Sequence, residues 1–386
     1  MNVISQLIIK NFKKFQYLSI QDLGRINIFV GNNNVGKTTL LEAIMGFACG
    51  RNLGTALKFL VWQRFPDVNA QNPFLAAELL STVFYEKSDT EQLIFSLEGT
   101  VDAKECFFRH KMTPSRIVSA LLPDRQTNFF ETDVVYRQIQ IPFPPVQGNP
   151  VMMEMVSQHL ARWEIESHDG KSPPCDLYTP MQFSTIPHTN PFLAAKLHNF
   201  LTFKNEQEIS KIYAFLQSNE IIDDFIKELN RLFCEIKIKN IENIPYPDGS
   251  SASIRVKLED GSRLPIYMLG DGFRRWYEIL GGMLTFPNSI HCIEEAGATI
   301  NHKAQDGFSV NLMSYSEKYN NQIFMTNHNV EFLKIFLDSV ENYDKSHLKN
   351  DIRIITLRDY TGEVRHRILN GKEALEALNS GLELRI

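Results

Sequence analysis

The sequence predicts an α/β fold with a mixed sheet core, an antiparallel β part and an inserted helical lobe, and no long coiled coil. Three observations predict it. The glycine-rich run Gly31-Asn32-Asn33-Asn34-Val35-Gly36-Lys37-Thr38 lies between a strand pattern and a helical one. Ile254–Leu258 alternates, turns at Asp260-Gly261 and is followed by Leu264–Tyr267, the pattern of a hairpin. The apolar run Ile290–Ile293 ends in two acids, Glu294 and Glu295, as a core strand reaching a site does.

Taken in order, Ile4–Phe15 reads as a strand with apolar Leu7, Ile8 and Ile9, turning at Asn11–Phe15, and Arg25–Val30 as a strand that becomes fully apolar before Gly31. Lys37–Phe47 has helical spacing of Leu40, Leu41, Ile44 and Phe47 and stops at Cys49-Gly50. Strand-like segments follow at Thr82–Tyr85, Leu93–Leu97, Cys106–His110 and Val134–Ile141. The Ile141-Pro142-Phe143-Pro144-Pro145 run marks an edge or boundary, because proline cannot donate to a ladder. Met152–Ile165, Pro191–Phe200, Glu206–Gln217 and Ile221–Phe233 read as helices, none with sustained heptads. Phe273–Leu284 is a further helix, and Ser289–Ile293, Gln322–Met325 and Ile352–Leu357 are short strands. The domain reading is one head over 1–386, with 1–60 and 245–386 as nucleotide-binding core, 61–150 as a β-rich part and 151–244 as the helical lobe.

The chain has 386 residues and a formal net charge of −5, which argues against a dedicated nucleic-acid binder. Its five cysteines are scattered without a CxxC, so neither a disulfide framework nor a zinc site is expected, and the reading is a reduced cytoplasmic protein. The N-terminus is not a signal peptide. No apolar run reaches the roughly 18 residues of a membrane helix.

Four motifs carry chemistry. In the glycine-rich loop, Asn32, Asn33, Asn34, Val35, Gly36, Lys37, Thr38 and Thr39 are placed to bind a nucleotide's phosphates through inward N–H groups and the helix N-terminus. Lys37 reaches the β- and γ-phosphates and Thr38 ligates Mg²⁺, whereas a plain turn is the bland alternative. After Ile293, Glu294 suits a metal-holding carboxylate and Glu295 the group that polarises an attacking water. The alternative is a solvated strand end. Leu269-Gly270-Asp271-Gly272-Phe273-Arg274-Arg275 offers a second anion-binding helix start. It also reads as an ordinary capped turn, with Arg274 and Arg275 on a solvated helix face. Thr326-Asn327-His328-Asn329 puts a histidine beyond a strand end, facing a γ-phosphate or serving structure, while His188 and His302 read as structural.

The order of these motifs resembles ABC-type ATPase heads, and most of all those of the overcoming-lysogenization-defect (OLD) clan. The resemblance covers residues about 1–50 and 250–386. Glu294-Glu295-Ala296-Gly297-Ala298-Thr299-Ile300-Asn301-His302 stands where that clan reads like Asp-Glu-x-Glu-x-Gly-Leu-His, so the first acid is one methylene longer and the polar positions after it are replaced. The resemblance implies ATP and Mg²⁺ held between two subunits. Lys37 and Thr38 bind phosphate and metal, Glu294 holds the metal, Glu295 is the catalytic base and His328 senses the γ-phosphate. Leu269, Gly270, Asp271, Gly272 and Arg274 reach the nucleotide of another copy. It also implies a Q-loop glutamine, with Gln182 as candidate. GTP is not expected, since no NKxD element occurs.

No TOPRIM nuclease follows the core, so the chain resembles stand-alone anti-phage defence ATPases such as AriA of PARIS and PtuA of Septu. A homo-oligomer with a dimer unit is implied, holding a separate effector such as a TOPRIM or HNH nuclease, with nucleic acid open as a partner and no membrane. Two alternatives stand beside it. One is a RecF-like repair ATPase that binds duplex DNA. The other is a slow or non-hydrolysing nucleotide-gated interaction module, motivated by the altered residues after Glu295.

Overall fold

The computed structural model describes residues 3–61, 73–85, 92–115, 158–179, 186, 189–245, 252–343 and 345–384. Val134–Ile141, the run Ile141–Pro145, Gln182 and His188 lie outside them. The chain divides into two compact units: Asp22–Leu41 with Ala194–Ile386, and Ile4–Gln21 with Glu42–Leu193.

The second unit is an antiparallel sheet in the order β2-β1-β4-β5-β6-β7, with β8 also on β6. Its strands are β1 (Ile4–Phe12), β2 (Phe15–Ile20), β4 (Leu93–Val101), β5 (Lys104–Pro114), β6 (Gln158–Ser167), β7 (Gly170–Lys171) and β8 (Cys175–Thr179). Helices α2 (Leu53–Leu60) and α3 (Pro73–Ser81) belong to the same unit. Period-two burial drives it: Cys106, Phe108, His110 and Met112 of β5 point inward while the residues between them do not. Phe95 and Trp163 pack on His110, whose ring stacks on Phe95 at 4.4 Å, and Phe84 packs on both of them.

The first unit carries the six-stranded sheet β16-β15-β3-β14-β13-β9. Strand β3 (Ile26–Val30) is central and fully buried, flanked by β14 (Gln322–Thr326) and β15 (Ile352–Tyr360), both parallel to it. Strand β13 (Ile290–Ile293) runs parallel between β14 and the edge strand β9 (Ala195–His198). The other edge, β16 (Glu363–Asn370), is antiparallel. Apart from Asn27, whose amide donates to the Gly24 and Ile323 carbonyls, β3 is apolar, as a strand covered on both faces requires. Helix α1 (Lys37–Cys49) opens after the glycine-rich loop. The rest comprises α4 (Glu206–Ser218), α5 (Ile222–Leu232), the sheet β10 (Ile238–Pro245), β11 (Ala252–Leu258) and β12 (Arg263–Pro265), α6 (Asp271–Thr285), α7 (His302–Lys318), α8 (Val330–Asn342) and α9 (Gly371–Asn379).

Helix α6 is buried on nearly every side from Phe273 to Leu284. Two glycines permit this. A Cβ on Gly281 would sit 2.4 Å from Ile212 Cγ2 of α4, and one on Gly282 would sit 2.6 Å from His198 Cε1 of β9. The pair lets both neighbours lie against bare helix backbone.

The structure departs from the sequence reading in the middle of the chain. The helix expected over Met152–Ile165 is strand β6 where it is described: Trp163, Ile165 and Ser167 are buried while Arg162, Glu164 and Glu166 face outward. That two-residue period, visible in the sequence, outweighs helical propensity once β5 supplies a partner. Pro191–Phe200 holds the short strand β9, stabilised by its pairing with β13. The part expected as a helical lobe is therefore helical from Glu206 and strand before it. Leu264–Tyr267 is strand only to Pro265 and then a 3-10 turn, Ile266–Leu269. Thr82–Tyr85 forms a turn with one bridge, Phe12 to Phe84.

Candidate functional site

The residues that bear on the site lie in the first unit, with the glycine-rich loop, Glu294, Glu295 and His328 at the C-terminal ends of the parallel strands β3, β13 and β14. Open α/β sheets bind ligands there. The loop after β3 turns through Gly31 (φ 143°), Asn34 (φ 62°) and Gly36 (φ 104°) before α1 starts. Gly31 is obligatory twice over: besides its φ, a Cβ would lie 2.5 Å from the Leu357 carbonyl oxygen. Lys37 is buried, and its Nζ donates to the carbonyls of Gly31 (2.8 Å) and Asn32 (2.9 Å). The ammonium thus arches back over the loop mouth. Burial lowers its pKa, and the charge of Glu295 opposes that shift.

Thr38 and Glu294 meet. The Thr38 hydroxyl donates to Glu294 Oε1 at 2.7 Å, from the first turn of α1 to the end of β13. A hydroxyl and a carboxylate at this distance are hard oxygen donors of the kind Mg²⁺ takes. Among the described residues no cluster of three or more His, Cys, Asp or Glu is built to hold a metal. Two oxygens from the protein suit Mg²⁺, which usually keeps waters and phosphate oxygens in the rest of its shell. The extra methylene of Glu294 does not keep it from Thr38.

Glu295 follows in left-handed backbone, φ 52°, where a side chain is strained. Its N–H donates to Thr326 Oγ1 at 2.8 Å, and the next N–H, of Ala296, donates to the Thr326 carbonyl at 3.0 Å. Its carboxylate oxygen Oε2 contacts His328 Nδ1. The two ends of β13 and β14 thereby set an acid against an imidazole at an accessible position, with His328 about half exposed and Glu295 one-third. Asn327 is buried and Asn329 caps α8, so His328 is carried on a fixed corner.

The residues after Glu295 fold onto their own unit. Ala296 is buried, and a Cβ on Gly297 would meet Phe332 of α8 at 2.6 Å. Thr299 has φ 65°. At Gly297, Phe332 of α8 leaves no room for a side chain.

The segment Leu269–Arg274 turns from solvent into the core, with Phe273 buried. Gly270 (φ 85°) is exposed with no atom within 4 Å of where its Cβ would be, next to Tyr267 and Met268, which are 51% and 63% exposed. Asp271 lies in the first turn of α6, favourable for that end of a helix. Gly272 faces inward: its Cβ would lie 2.5 Å from the Thr299 carbonyl oxygen.

The solvated helix face expected of Arg274 and Arg275 is not there. Arg274 is half-buried and lines a cleft with Glu206, Ser253 and Tyr267. Arg275 is 4% exposed, and its Nη2 donates to the main-chain carbonyls of Glu294 and of Glu295, the latter at 2.7 Å. Burial lowers its pKa, with Glu278, Glu294 and Glu295 opposing. Beside β13, Asn199 follows β9 and uses its side chain to close a turn with the amides of Leu201 and Thr202. His198, before it, accepts the Glu294 N–H on its carbonyl at 2.9 Å.

Comparison with known proteins bears on the fold and on the nucleotide chemistry. Residues 3–104 match a family model described as an AAA ATPase domain. An ATP/GTP phosphatase of Helicobacter pylori (strain ATCC 700392 / 26695) is 22% identical over 378 residues, covering 94% of this chain and 96% of that protein. The DNA replication and repair protein RecF of Listeria monocytogenes is 29% identical over 63 residues, 16% of this chain and 17% of RecF. Among solved structures, an Smc head bound to the C-winged helix domain of ScpA superposes with a TM-score of 0.51 at 13% identity, covering 97% of this chain and 99% of that one. The fold is that of an ABC-type ATPase head. No helix among the described residues is long and apolar enough to cross a membrane.

Proposed function

We propose that this ATPase of the ABC-head type binds ATP with Mg²⁺ at the Gly31–Thr39 loop, hydrolyses it with Glu295 as base, and closes in pairs so that Leu269–Arg274 of a second copy faces the loop. The observation that carries the reading is the meeting of Thr38 Oγ1 and Glu294 Oε1 at 2.7 Å, with Lys37 arched over the same loop. Lys37 exchanges its two carbonyl contacts for phosphate oxygens, which its charge favours. Thr38 and Glu294 would hold Mg²⁺, which would supply positive charge against the phosphates. Glu295 takes the proton of the attacking water, and His328, against its carboxylate, holds it oriented and follows the γ-phosphate. The exposed Gly270, with open space around it, suits approach by an anion on another copy.

In the finer reading, the head is the sensor and scaffold of an anti-phage defence system. Its nucleotide state holds, releases or activates a separate effector such as a TOPRIM or HNH nuclease. This rests on the resemblance in motif order and on the exposed Gly270 at the start of the signature helix. The second reading, a RecF-like repair ATPase, is favoured by the 63-residue similarity to RecF. Binding to duplex DNA across a salt series separates the two: a RecF-like protein binds by itself with ATP, and a sensor head does not. The Helicobacter relative's description as an ATP/GTP phosphatase makes GTP the first competitor to assay, since the loop and acids act on the triphosphate that both share. Lys37→Ala is expected to abolish ATP binding, and retained affinity would remove the loop from the mechanism. Glu295→Gln is expected to bind ATP, turn it over at least about 10²-fold more slowly and accumulate an ATP-bound dimer. Unchanged turnover would assign the base elsewhere.

A further inference from the structure

We propose that helix α6 is the positioning element for the two acids, with Arg275 and Glu278 as its positioning residues. This rests on the reading of Glu294 as metal holder and Glu295 as base, and goes beyond it by naming what keeps them in place.

The grip is at two levels, one turn apart. At the first, Arg275 Nη2 donates to both carbonyls that flank the strained residue, those of Glu294 and Glu295. A non-glycine residue at φ 52° persists only where its surroundings over-determine it. Thr326 fixes the N–H side of Glu295, and Arg275 fixes the carbonyl side. Arg275 touches neither acid's carboxylate in any of these bonds, so it acts through the main chain that aims them.

At the second level, Glu278, three residues along α6, is 1% exposed and places both carboxylate oxygens 2.9 Å from His198 Nδ1. His198 Nε2 lies 2.8 Å from His291 Nδ1. Ser289 Oγ donates to the Phe286 carbonyl at 2.5 Å, so it accepts from His291 Nε2, 3.0 Å away, which also faces that carbonyl. With its Nε2 donating, His291 accepts on Nδ1, and His198 must donate from Nε2. Burial and the neighbouring His198 lower the His291 pKa well below its ordinary value, in keeping with a neutral acceptor ring. The groups Glu278, His198, His291 and Ser289 form one connected hydrogen-bonded chain, and its members are buried. It clamps the edge strand β9, four residues long, onto β13. The residue it clamps is the one whose carbonyl accepts the Glu294 N–H. Gly282 makes the clamp sterically feasible by leaving space for the His198 ring.

The test uses the full chain and a fluorescent ATP analogue, with affinity measured with and without Mg²⁺. That readout does not require hydrolysis. Arg275→Ala and Glu278→Gln are expected to leave Mg²⁺-free affinity within about twofold, because the loop is untouched. The gain in affinity that Mg²⁺ supplies should shrink about tenfold, the lower end of what loss of a residue supporting a metal ligand does. Arg275→Lys reaches only one carbonyl and should recover part of the gain. Millimolar guanidinium should restore part of it to Arg275→Ala. If Mg²⁺ supplies the same gain in both variants as in the parent, the proposal is overturned. It is equally overturned if Mg²⁺-free affinity falls as much as Mg²⁺-bound affinity, because that is plain structural loss. Should Arg275→Ala fail to fold, Arg275→Lys and Glu278→Gln carry the same comparison. Failure of the underlying reading looks different: Glu295→Gln would keep its turnover while the Mg²⁺ dependence of binding in the α6 variants still changed.

Discussion

Replacing Gly272 by alanine tests how the signature segment and the acid turn share space. The added Cβ would lie 2.5 Å from the Thr299 carbonyl oxygen, against about 3.4 Å for ordinary contact, an overlap of 3.4 − 2.5 = 0.9 Å. Both sides of that contact are main chain, so no rotamer change relieves it. Alanine gains up to about 1 kcal/mol in helix propensity over glycine, less at this second helical position. Overpacking of this kind costs about 1–3 kcal/mol, so the clash wins by roughly 1–2 kcal/mol. For a unit of this size that is a fall in Tm of about 2–8 °C. Thr299 is four residues from Glu295 on one tight segment, so parting the two by most of an ångström moves the base. A 1 Å misplacement is worth about 10²-fold in rate, so turnover should fall at least about tenfold. Gly270→Ala is the control. Its Cβ meets nothing within 4 Å, so its penalty is backbone strain alone and the acid turn of its own subunit stays in place. Differential scanning fluorimetry and a steady-state ATPase assay read both. If Gly272→Ala keeps parental Tm and turnover, the Thr299 carbonyl yields freely and the packing argument fails.

Three further outcomes follow from the same geometry. Thr38→Ser keeps the hydroxyl that meets Glu294 and should retain most Mg²⁺-dependent binding, whereas Thr38→Ala should lose about 10-fold or more; equal loss in both would mean the hydroxyl is not used. Mixing Lys37→Ala with Met268→Glu, which puts a charge on an exposed position outside its own core, should restore part of the turnover if nucleotide lies between copies; no restoration counts against that arrangement. In the antiparallel unit, burial lowers the His110 pKa to about 3 from 6.5. The unfolded chain therefore takes up the proton first as pH falls below 6.5, and stability present above that value is lost at about 1.4 kcal/mol per unit toward pH 3, or roughly 2 kcal/mol by pH 5. Thermal unfolding across pH 5–8 checks this, and His110→Gln, which can still accept from Trp163, should flatten the acid limb.

The loop was legible because its chemistry demands contiguous residues: two glycines, a lysine and a threonine at fixed spacing between a strand and a helix. Glu294 and Glu295 were legible only in its company, since strand-end acids are common. Arg275 was not, because its partners are carbonyls 19 and 20 residues away and carry no side-chain identity. A basic residue beside a glycine-rich turn ordinarily faces water, and only the bend of the chain after Ile293 turns this one inward. Strand β9 was hidden for a different reason. Four residues at a sheet edge are too short to show a period, and their stability comes from β13 rather than from their own propensity. Strand β6 carries its alternation in the sequence, but the apolar spacing around it also fits a helix.

The adjacent glycines Gly281 and Gly282 have a consequence for how α6 melts. Each weakens the middle of an isolated helix by about 1 kcal/mol, so this helix has little tendency to persist once Ile212 and His198 withdraw. Amide hydrogen exchange along α6 should therefore report the docking of α4 and β9 rather than helix strength, with its central amides opening together when either neighbour leaves. The element that presents Gly270 to the outside and holds Glu294 from behind would then lose both tasks in one cooperative step.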